Sequence, residues 1–206
     1  MDYHALATDF GWAAVLLGLG GTAAQFQRAR RLGVEGISTA TWVLFVFMGC
    51  FWITYGVAAR SSEVIAGSLI VMPLQLAIVF RLQPWKSPLV VLRAFAFFVV
   101  ACVVPTMLWG WVGGVYGTGV AMVVNRGPQI LELIRQEDAS GVSVTSWLLG
   151  VVGTMLWVAY YQNVGLWAAL VSTAFAGLAN LIIALLAAWR HRQARQRMIA
   201  DEVFAF

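Results

Sequence analysis

Three pairs of side chains with binding chemistry recur at a fixed separation of 105 residues. Indoles offer flat apolar faces on which a ring can stack, whereas hydroxyl and amide groups donate and accept hydrogen bonds. The pairs are Trp52 with Trp157, Gln75 with Asn180, and Ser68 with Thr173. Because such groups hold a small polar molecule without reacting with it, the sequence predicts a substrate-binding site and no catalytic centre.

Groups suited to catalysis or metal binding are not arranged in this way. The nine acidic residues fall in predicted tails, loops or helix ends, and His4 and His191 lie towards the two ends of the chain. The sequence offers no nucleophile beside a base, no cluster of metal ligands and no glycine loop after a strand. We therefore expect no enzyme activity, no cofactor and no metal. Proton coupling is not expected either, since it needs a titratable group at membrane depth.

The composition indicates a membrane protein. Of the 206 residues, 61% are hydrophobic and 11% are charged, whereas a soluble domain is about 25% charged. Apolar runs long enough to cross a bilayer predict seven helices. Their ranges are 10–27, 38–59, 63–82, 88–110, 112–134, 143–162 and 165–189.

The basic residues predict the orientation of these helices. Twelve of the 13 Lys and Arg residues fall on one side of the seven-helix arrangement and Arg60 falls on the other. Cytoplasmic loops hold the excess of Lys and Arg in membrane proteins. The amino terminus is therefore predicted on the outer side of the cell membrane and the carboxyl terminus on its cytoplasmic side. Residues 190–206 are expected to form a basic cytoplasmic tail beside anionic lipid, and no nucleic acid partner is expected.

The same 105-residue shift aligns further residues and indicates an internal repeat. It superposes Gly36 on Gly141, Ser38 on Ser143 and Trp42 on Trp147. Residues 10–82 and 112–189 are thus predicted to be two three-helix repeats joined by a linker helix, 88–110. Since an odd number of crossings separates them, the repeats are parallel, and a site between parallel repeats is typical of transporters. The expected fold is all-α, with a 3+1+3 arrangement.

Depth favours a central site for the paired indoles. Trp52 and Trp157 lie ten residues after Trp42 and Trp147, which are predicted near the cytoplasmic ends of their helices. Ten residues of helix span about 15 Å, so both indoles are expected in the middle of the bilayer. Two interpretations stay open for these residues and for the polar pairs. Either they line a substrate pocket, or they join helices through ring packing and interhelical hydrogen bonds.

Motif order gives a family resemblance. Pro128-Gln129, then Gly141-x-Ser143, and later Trp157-x-x-Tyr160 resemble the PQ-loop family, and the doubled layout is most similar to its SWEET branch of sugar transporters, relatives of the single-repeat SemiSWEETs. The resemblance covers residues 10–189. It implies a facilitative carrier that alternates between outward-open and inward-open forms, with Pro-Gln motifs near the moving helices. The first copy departs from the pattern, reading Ala24-Gln25.

The resemblance also implies an asparagine sixteen residues after each central tryptophan, where this chain has Ser68 and Thr173. The predicted function is uniport of a small neutral polar solute, with a sugar favoured. Carriage of amino acids or another small metabolite is an alternative, as is a membrane receptor on the same fold. A receptor for charged peptides would need a buried Arg or Glu near the centre, and the pattern assigns Arg126 to the inner face instead.

Gating is predicted for the Pro-Gln positions, namely Pro128, Gln129 and Gln25. A proline inside a helix removes one backbone hydrogen bond and permits a bend. Such a bend is either a hinge or a fixed kink. The expected partners are the small-molecule substrate and the lipid bilayer, and homo-oligomer formation is left open.

Overall fold

The computed structural model of the chain describes residues 3–204. Helix accounts for 87% of the protein, and the described residues form no strand. The part of the chain that the structure describes forms nine α-helices: α1 (Tyr3–Leu32), α2 (Thr39–Ala59), α3 (Ser62–Leu69), α4 (Met72–Arg81), α5 (Pro88–Phe98), α6 (Val104–Val124), α7 (Gly127–Arg135), α8 (Val144–Asn163) and α9 (Trp167–Phe204). A 3-10 turn (Pro84–Lys86) precedes α5, and a π-helical turn (Val99–Val103) joins α5 to α6. The all-helical class predicted from the sequence is confirmed.

Serine hydroxyls begin α2 and α8 in the same way. Ser38 and Ser143 adopt extended backbone angles, and their Oγ atoms accept the backbone N–H of Thr41 (3.3 Å) and Ser146 (3.2 Å). Each hydroxyl satisfies a donor that the first helical turn leaves without a carbonyl partner. The two Gly-x-Ser motifs therefore start equivalent helices.

Prolines mark the internal interruptions of the helices. Pro73, Pro105 and Pro128 each occupy the first or second position of a new helix. Proline fits there because the first helical N–H groups have no intrahelical acceptor in any case. Turns precede two of these starts, at Ile70–Val71 and at Asn125–Arg126.

The chain reverses direction at Trp109–Gly110, inside the long apolar stretch 88–135. Gly110 has φ 66° and ψ −161°, a conformation open almost only to glycine. The limbs on either side approach closely, since a Cβ at Gly113 would overlap the carbonyl oxygen of Pro105 and one at Gly117 would overlap that of Ala101. These contacts pair residues at increasing distance from Gly110, so the limbs are antiparallel.

Within the described residues, five helical stretches are long and apolar enough to cross a membrane. They are Thr39–Ala59, Ser62–Arg81, Pro88–Arg135, Val144–Asn163 and Ala169–Ala200. Large apolar side chains on their surfaces are exposed, among them Met107 (80%), Val112 (68%) and Met155 (66%), as lipid-facing residues would be. The protein is therefore suited to a membrane.

The observed helix ends differ from those expected. The first helix, Tyr3–Leu32, contains the predicted span 10–27 but is not one of the five stretches, and 88–110 and 112–134 fall within a single stretch. The last helix runs on to Phe204, so the basic segment predicted as a tail continues α9 as far as the structure describes it. Residues 190–204 contain neither proline nor glycine, so the helix continues beyond the point at which the apolar run ends.

Helix α1 packs most extensively against α8, which in turn packs against α9. A cluster of apolar side chains fills one end of the bundle, with Ile78, Leu133 and Ile183 fully buried. The loops 33–38 and 136–143 lie at this end together with Arg28 and Arg190, and we call it the basic end.

Candidate substrate-binding site

A cavity of about 250 Å³ opens between the helices, with α1, α8 and α9 contributing much of its wall. All six residues that the sequence predicts for substrate binding line it: Trp52, Ser68, Gln75, Trp157, Thr173 and Asn180. Both members of each 105-residue pair thus reach the same space. Helix α1 contributes small residues to the wall, including Ala14 and Gly18.

The two indoles lie in an aromatic cluster that also contains Tyr55, Tyr160 and Tyr161. Trp157 stacks on Tyr161 with ring centroids 5.6 Å apart, and Trp52 meets Tyr55 edge-on at 5.6 Å. Gly67 makes room for one ring, because a Cβ there would lie 3.1 Å from Cζ2 of Trp157. The indoles therefore pack between helices and face the cavity at the same time, so the two interpretations of these rings are compatible.

Unpaired polar atoms face the same region. Thr173 is 1% exposed, and neither its hydroxyl nor Oε1 of Gln75 has a hydrogen-bond partner among the described residues. A buried polar atom without a hydrogen-bond partner lowers the stability of the fold by about 1–3 kcal/mol, so such atoms are rare in native proteins. Their place in the cavity wall allows both atoms to bond a molecule inside it.

Arg126 is the principal residue that the sequence pattern misplaces. The pattern counts it among the charges of the inner face, but its side chain is buried, at 7% exposed, and lines the cavity. Its Nε donates to Oδ1 of Asn180 (2.6 Å), and its Nη1 donates to Oδ1 of Asn125 (3.0 Å) and to the carbonyl of Met122. The guanidinium also lies 5.6 Å from the ring centre of Phe45.

A signal for this placement is present in the sequence. Arg126 stands eight residues before the end of the predicted span 112–134, or about 12 Å into it along a helix. A charge at that depth must turn towards the protein interior. The turn at Asn125–Arg126, two residues before Pro128, places this side chain on the cavity side, and Thr41 Oγ1 holds the turn by donating to the carbonyl of Asn125 (2.8 Å).

A second cavity of about 140 Å³ continues towards the basic end. It shares six lining residues with the first: Gly18, Thr22, Gln75, Arg126, Gly150 and Asn180. Its remaining wall includes Trp42, Phe45 and Trp147. Arg126 and Asn180 therefore lie where the two cavities meet.

The predicted gating residues Gln25 and Gln129 lie at the basic end, and each makes the same pair of hydrogen bonds to a Gly-x-Ser turn. Gln129 Nε2 donates to the carbonyl of Gly36 (2.6 Å), and its Oε1 accepts the N–H of Ser38 (2.9 Å). Gln25 does the same to the other motif, bonding the carbonyl of Gly141 (2.7 Å) and the N–H of Ser143 (2.9 Å). Both side chains are 1% exposed. We call these four hydrogen bonds the glutamine clamps.

Other contacts reinforce the closed basic end. Arg28 Nε donates to the carbonyl of Ser140 (2.6 Å), and Arg190 Nε donates to that of Leu133 (2.8 Å). The loops themselves touch, since the N–H of Gly141 donates to the carbonyl of Glu35 (3.1 Å). Basic residues that the sequence assigns to topology thus also bind loop and helix-end carbonyls. Pro128 does not line either cavity and begins α7 behind the turn that carries Arg126.

The described residues contain no group of three or more His, Cys, Asp or Glu side chains that could hold a metal ion. Cys50 and Cys102 are free thiols.

Comparison with protein-family models, with curated proteins and with solved structures found no match to the chain.

Proposed function

We propose that the protein is a membrane transporter that carries a small polar solute by facilitative, alternating-access uniport. The observation that carries this proposal is the cavity between membrane-length helices, whose wall receives both members of each repeated pair. A pocket of this kind, enclosed by helices and lined by a few polar groups among apolar ones, is the usual form of a small-molecule site.

The proposed architecture is the 3+1+3 arrangement of the SWEET-like PQ-loop proteins. The stretch Pro88–Arg135 has 48 residues, about 72 Å of helix and more than twice the hydrocarbon thickness. Its reversal at Gly110 supports two crossings within it. Residues 88–110 then act as the linker, with repeats at 10–82 and 112–189.

The size of the cavity supports a small solute. Its volume of about 250 Å³ lies below the roughly 300–1,000 Å³ of pockets that hold drug-sized ligands. A monosaccharide is favoured by the resemblance to SWEET proteins and by the paired indoles. An amino acid or another small metabolite is the alternative.

Passive transport follows from the chemistry of the cavity wall. Neither cavity is lined by Asp, Glu or His among the described residues. A carrier without a titratable acid on its pathway has no site at which to couple a proton to its substrate. We therefore propose that solute moves in both directions along its own gradient.

The glutamine clamps support a gate at the basic end, which we place on the cytoplasmic side of the cell membrane. In the described conformation they join residues 25 and 129 to the opposite Gly-x-Ser turns and close this end. An inward-open form would require these bonds to separate. Pro128, at the start of α7, is the proposed hinge.

Flux through the purified protein tests the proposal. Proteoliposomes would be assayed for uptake of radiolabelled glucose and alanine by the wild type and by Trp52→Ala, Trp157→Ala and Asn180→Ala. We expect flux of at least one solute and a loss of about tenfold or more in each variant, as each removes a group from the cavity wall.

Trp85→Ala provides the matched control, since that indole is 59% exposed and lies outside both cavities. Flux unchanged in all three cavity variants would overturn the site. Binding without flux would favour the receptor alternative instead.

A further inference from the structure

Arg126 is a buried cation with no anionic partner among the described residues. The ion pair found among the described side chains, Arg197 with Glu137, is exposed and lies elsewhere. Glu132, the acid nearest to Arg126 in sequence, instead accepts a hydrogen bond from Gln136 (3.2 Å). A buried charge is strongly unfavourable unless it is paired, so the absence of a carboxylate beside Arg126 requires an explanation.

The contacts that Arg126 does make leave part of its guanidinium available. Its three hydrogen bonds go to neutral oxygens and use Nε and Nη1, while Nη2 has no partner among the described residues. Arginine has five N–H donors in a planar fork, a geometry that matches a carboxylate. The cavity wall thus presents a pre-positioned cation with unused donors.

The rest of the wall is electrically neutral. The described lining residues of both cavities include Arg126 and no other charged side chain. The site therefore carries one net positive charge, which disfavours a cationic solute, and a neutral solute can offer the guanidinium only an uncharged oxygen, a weaker acceptor than a carboxylate. A solute with a single negative charge balances the charge of Arg126, whereas a dianionic phosphate would leave one negative charge uncompensated.

We propose that the cavity binds a small solute with one carboxylate, and that Arg126 receives this carboxylate while the indoles and hydroxyls hold the polar remainder. This inference rests on the proposed function and narrows its substrate class. It also replaces the neutral solute expected from the sequence, because that expectation assigned Arg126 to the inner face.

The position of Arg126 at the meeting of the two cavities gives the charge a further role. A carboxylate bound there would border the wall that Arg126 shares with Asn180, which it already bonds, and with Gln75, which lines both spaces. The solute would then contact the two repeats at once, through residues of the same repeated pair.

Matched solutes that differ only at the acid group test the proposal. The pairs are lactate with 1,2-propanediol and gluconate with sorbitol. Binding to the full-length protein in detergent would be measured by the shift in thermal unfolding midpoint and by tryptophan fluorescence, because Trp52 and Trp157 line the cavity. In at least one pair we expect the carboxylate to bind about tenfold or more tightly than its partner.

Two variants assign that preference to Arg126. Arg126→Gln removes the charge, and Asn180→Asp keeps Arg126 but places a carboxylate on its Nε, neutralising the site without changing its shape. Both should abolish the preference, and Asn180→Asp guards against failure of Arg126→Gln to fold. Arg197→Gln, which removes an exposed arginine, should leave the preference intact.

Equal binding of both members in every pair would overturn the inference, as would an undiminished preference in folded Asn180→Asp. The outcome is separable from that of the flux assay. A protein that transports glucose and ignores carboxylates would keep the proposed function and lose this inference, whereas carboxylate binding without flux would do the reverse.

Discussion

Gln25 and Gln129 each use both ends of one amide to bond the backbone of a turn far along the chain. Gln25 reaches across 116 residues to Gly141, and Gln129 across 93 residues to Gly36. Asparagine is one methylene shorter, and glutamate has no N–H to donate. Glutamine is therefore the side chain that can serve a carbonyl and an N–H at this reach.

Replacing either clamp residue by leucine should destabilise the protein. Gln129→Leu leaves the Gly36 carbonyl and the Ser38 N–H buried without partners, at about 1–3 kcal/mol for each. Gln25→Leu should have an equal effect through Gly141 and Ser143. The thermal unfolding midpoint of purified protein in detergent measures both.

Gln136→Leu is the control for these substitutions. That side chain is exposed and bonds only Glu132, so its replacement should change stability by no more than about 0.5 kcal/mol. If the Gln129 and Gln136 variants had the same unfolding midpoint, the clamps would contribute nothing to stability.

Residue types and offsets could predict much of the cavity wall. Trp52 and Trp157, Gln75 and Asn180, and the hydroxyl pair share one spacing, and a polar group inside an apolar run has few places to go but inwards. Arg126 could not be placed by the same argument, because a basic residue near a helix end usually reports topology. The signal for its placement is its depth, eight residues inside the predicted span, and the turn before Pro128 puts its side chain on the cavity side.

Among the elements, the reversal at Trp109–Gly110 depends on backbone freedom more than on packing. No atom lies within 4 Å of the position that a Cβ on Gly110 would occupy. Any penalty for a side chain there therefore comes from the dihedral angles, which other residues rarely adopt.

Gly110→Ala should consequently lower stability by about 1–3 kcal/mol, the usual cost of a strained backbone conformation. The unfolding midpoint, followed by the loss of helical circular dichroism, measures the change. Gly20→Ala is the matched control, since the nearest contact of its Cβ position is 3.8 Å away and it lies inside α1. There the alanine should be neutral or slightly stabilising, and an equal loss in both variants would contradict the role of the Gly110 angles.

The helices themselves were predictable to different degrees. Hydropathy locates Thr39–Ala59 and Val144–Asn163 within a residue or two of their predicted ends, because a Gly-x-Ser cap begins each one. It does not reveal the break at Ile70–Val71, which Pro73 marks, nor the extension of α9 to Phe204, since hydropathy measures apolar content and not where a helix ends.

At the scale of the whole molecule, the proposed orientation in the membrane rests on where the basic residues collect. Lys86 and Gln162 are exposed and lie near opposite ends of the bundle, after α4 and at the end of α8. In a Cys50→Ser background, Lys86→Cys should react with a membrane-impermeant maleimide only after the cells are permeabilised. Gln162→Cys should react in intact cells.

The reverse pattern of labelling would show that the proposed orientation is wrong. Labelling of both sites in intact cells would place them on the same side of the membrane and contradict the three crossings proposed between them. Cys102 is buried and should remain unlabelled throughout.

The glutamine of each half of the chain bonds the Gly-x-Ser turn of the other half, so each half supplies hydrogen-bond partners that the other needs. Neither half contains within itself the acceptors and donors that its own glutamine needs, because the partners of Gln25 lie beyond residue 140 and those of Gln129 lie before residue 39. A chain cut between residues 82 and 87 should accordingly yield two fragments that are soluble in detergent as a pair and aggregate when produced separately. Because each clamp by itself joins the two halves, the proposed gate can open only once both clamps have broken.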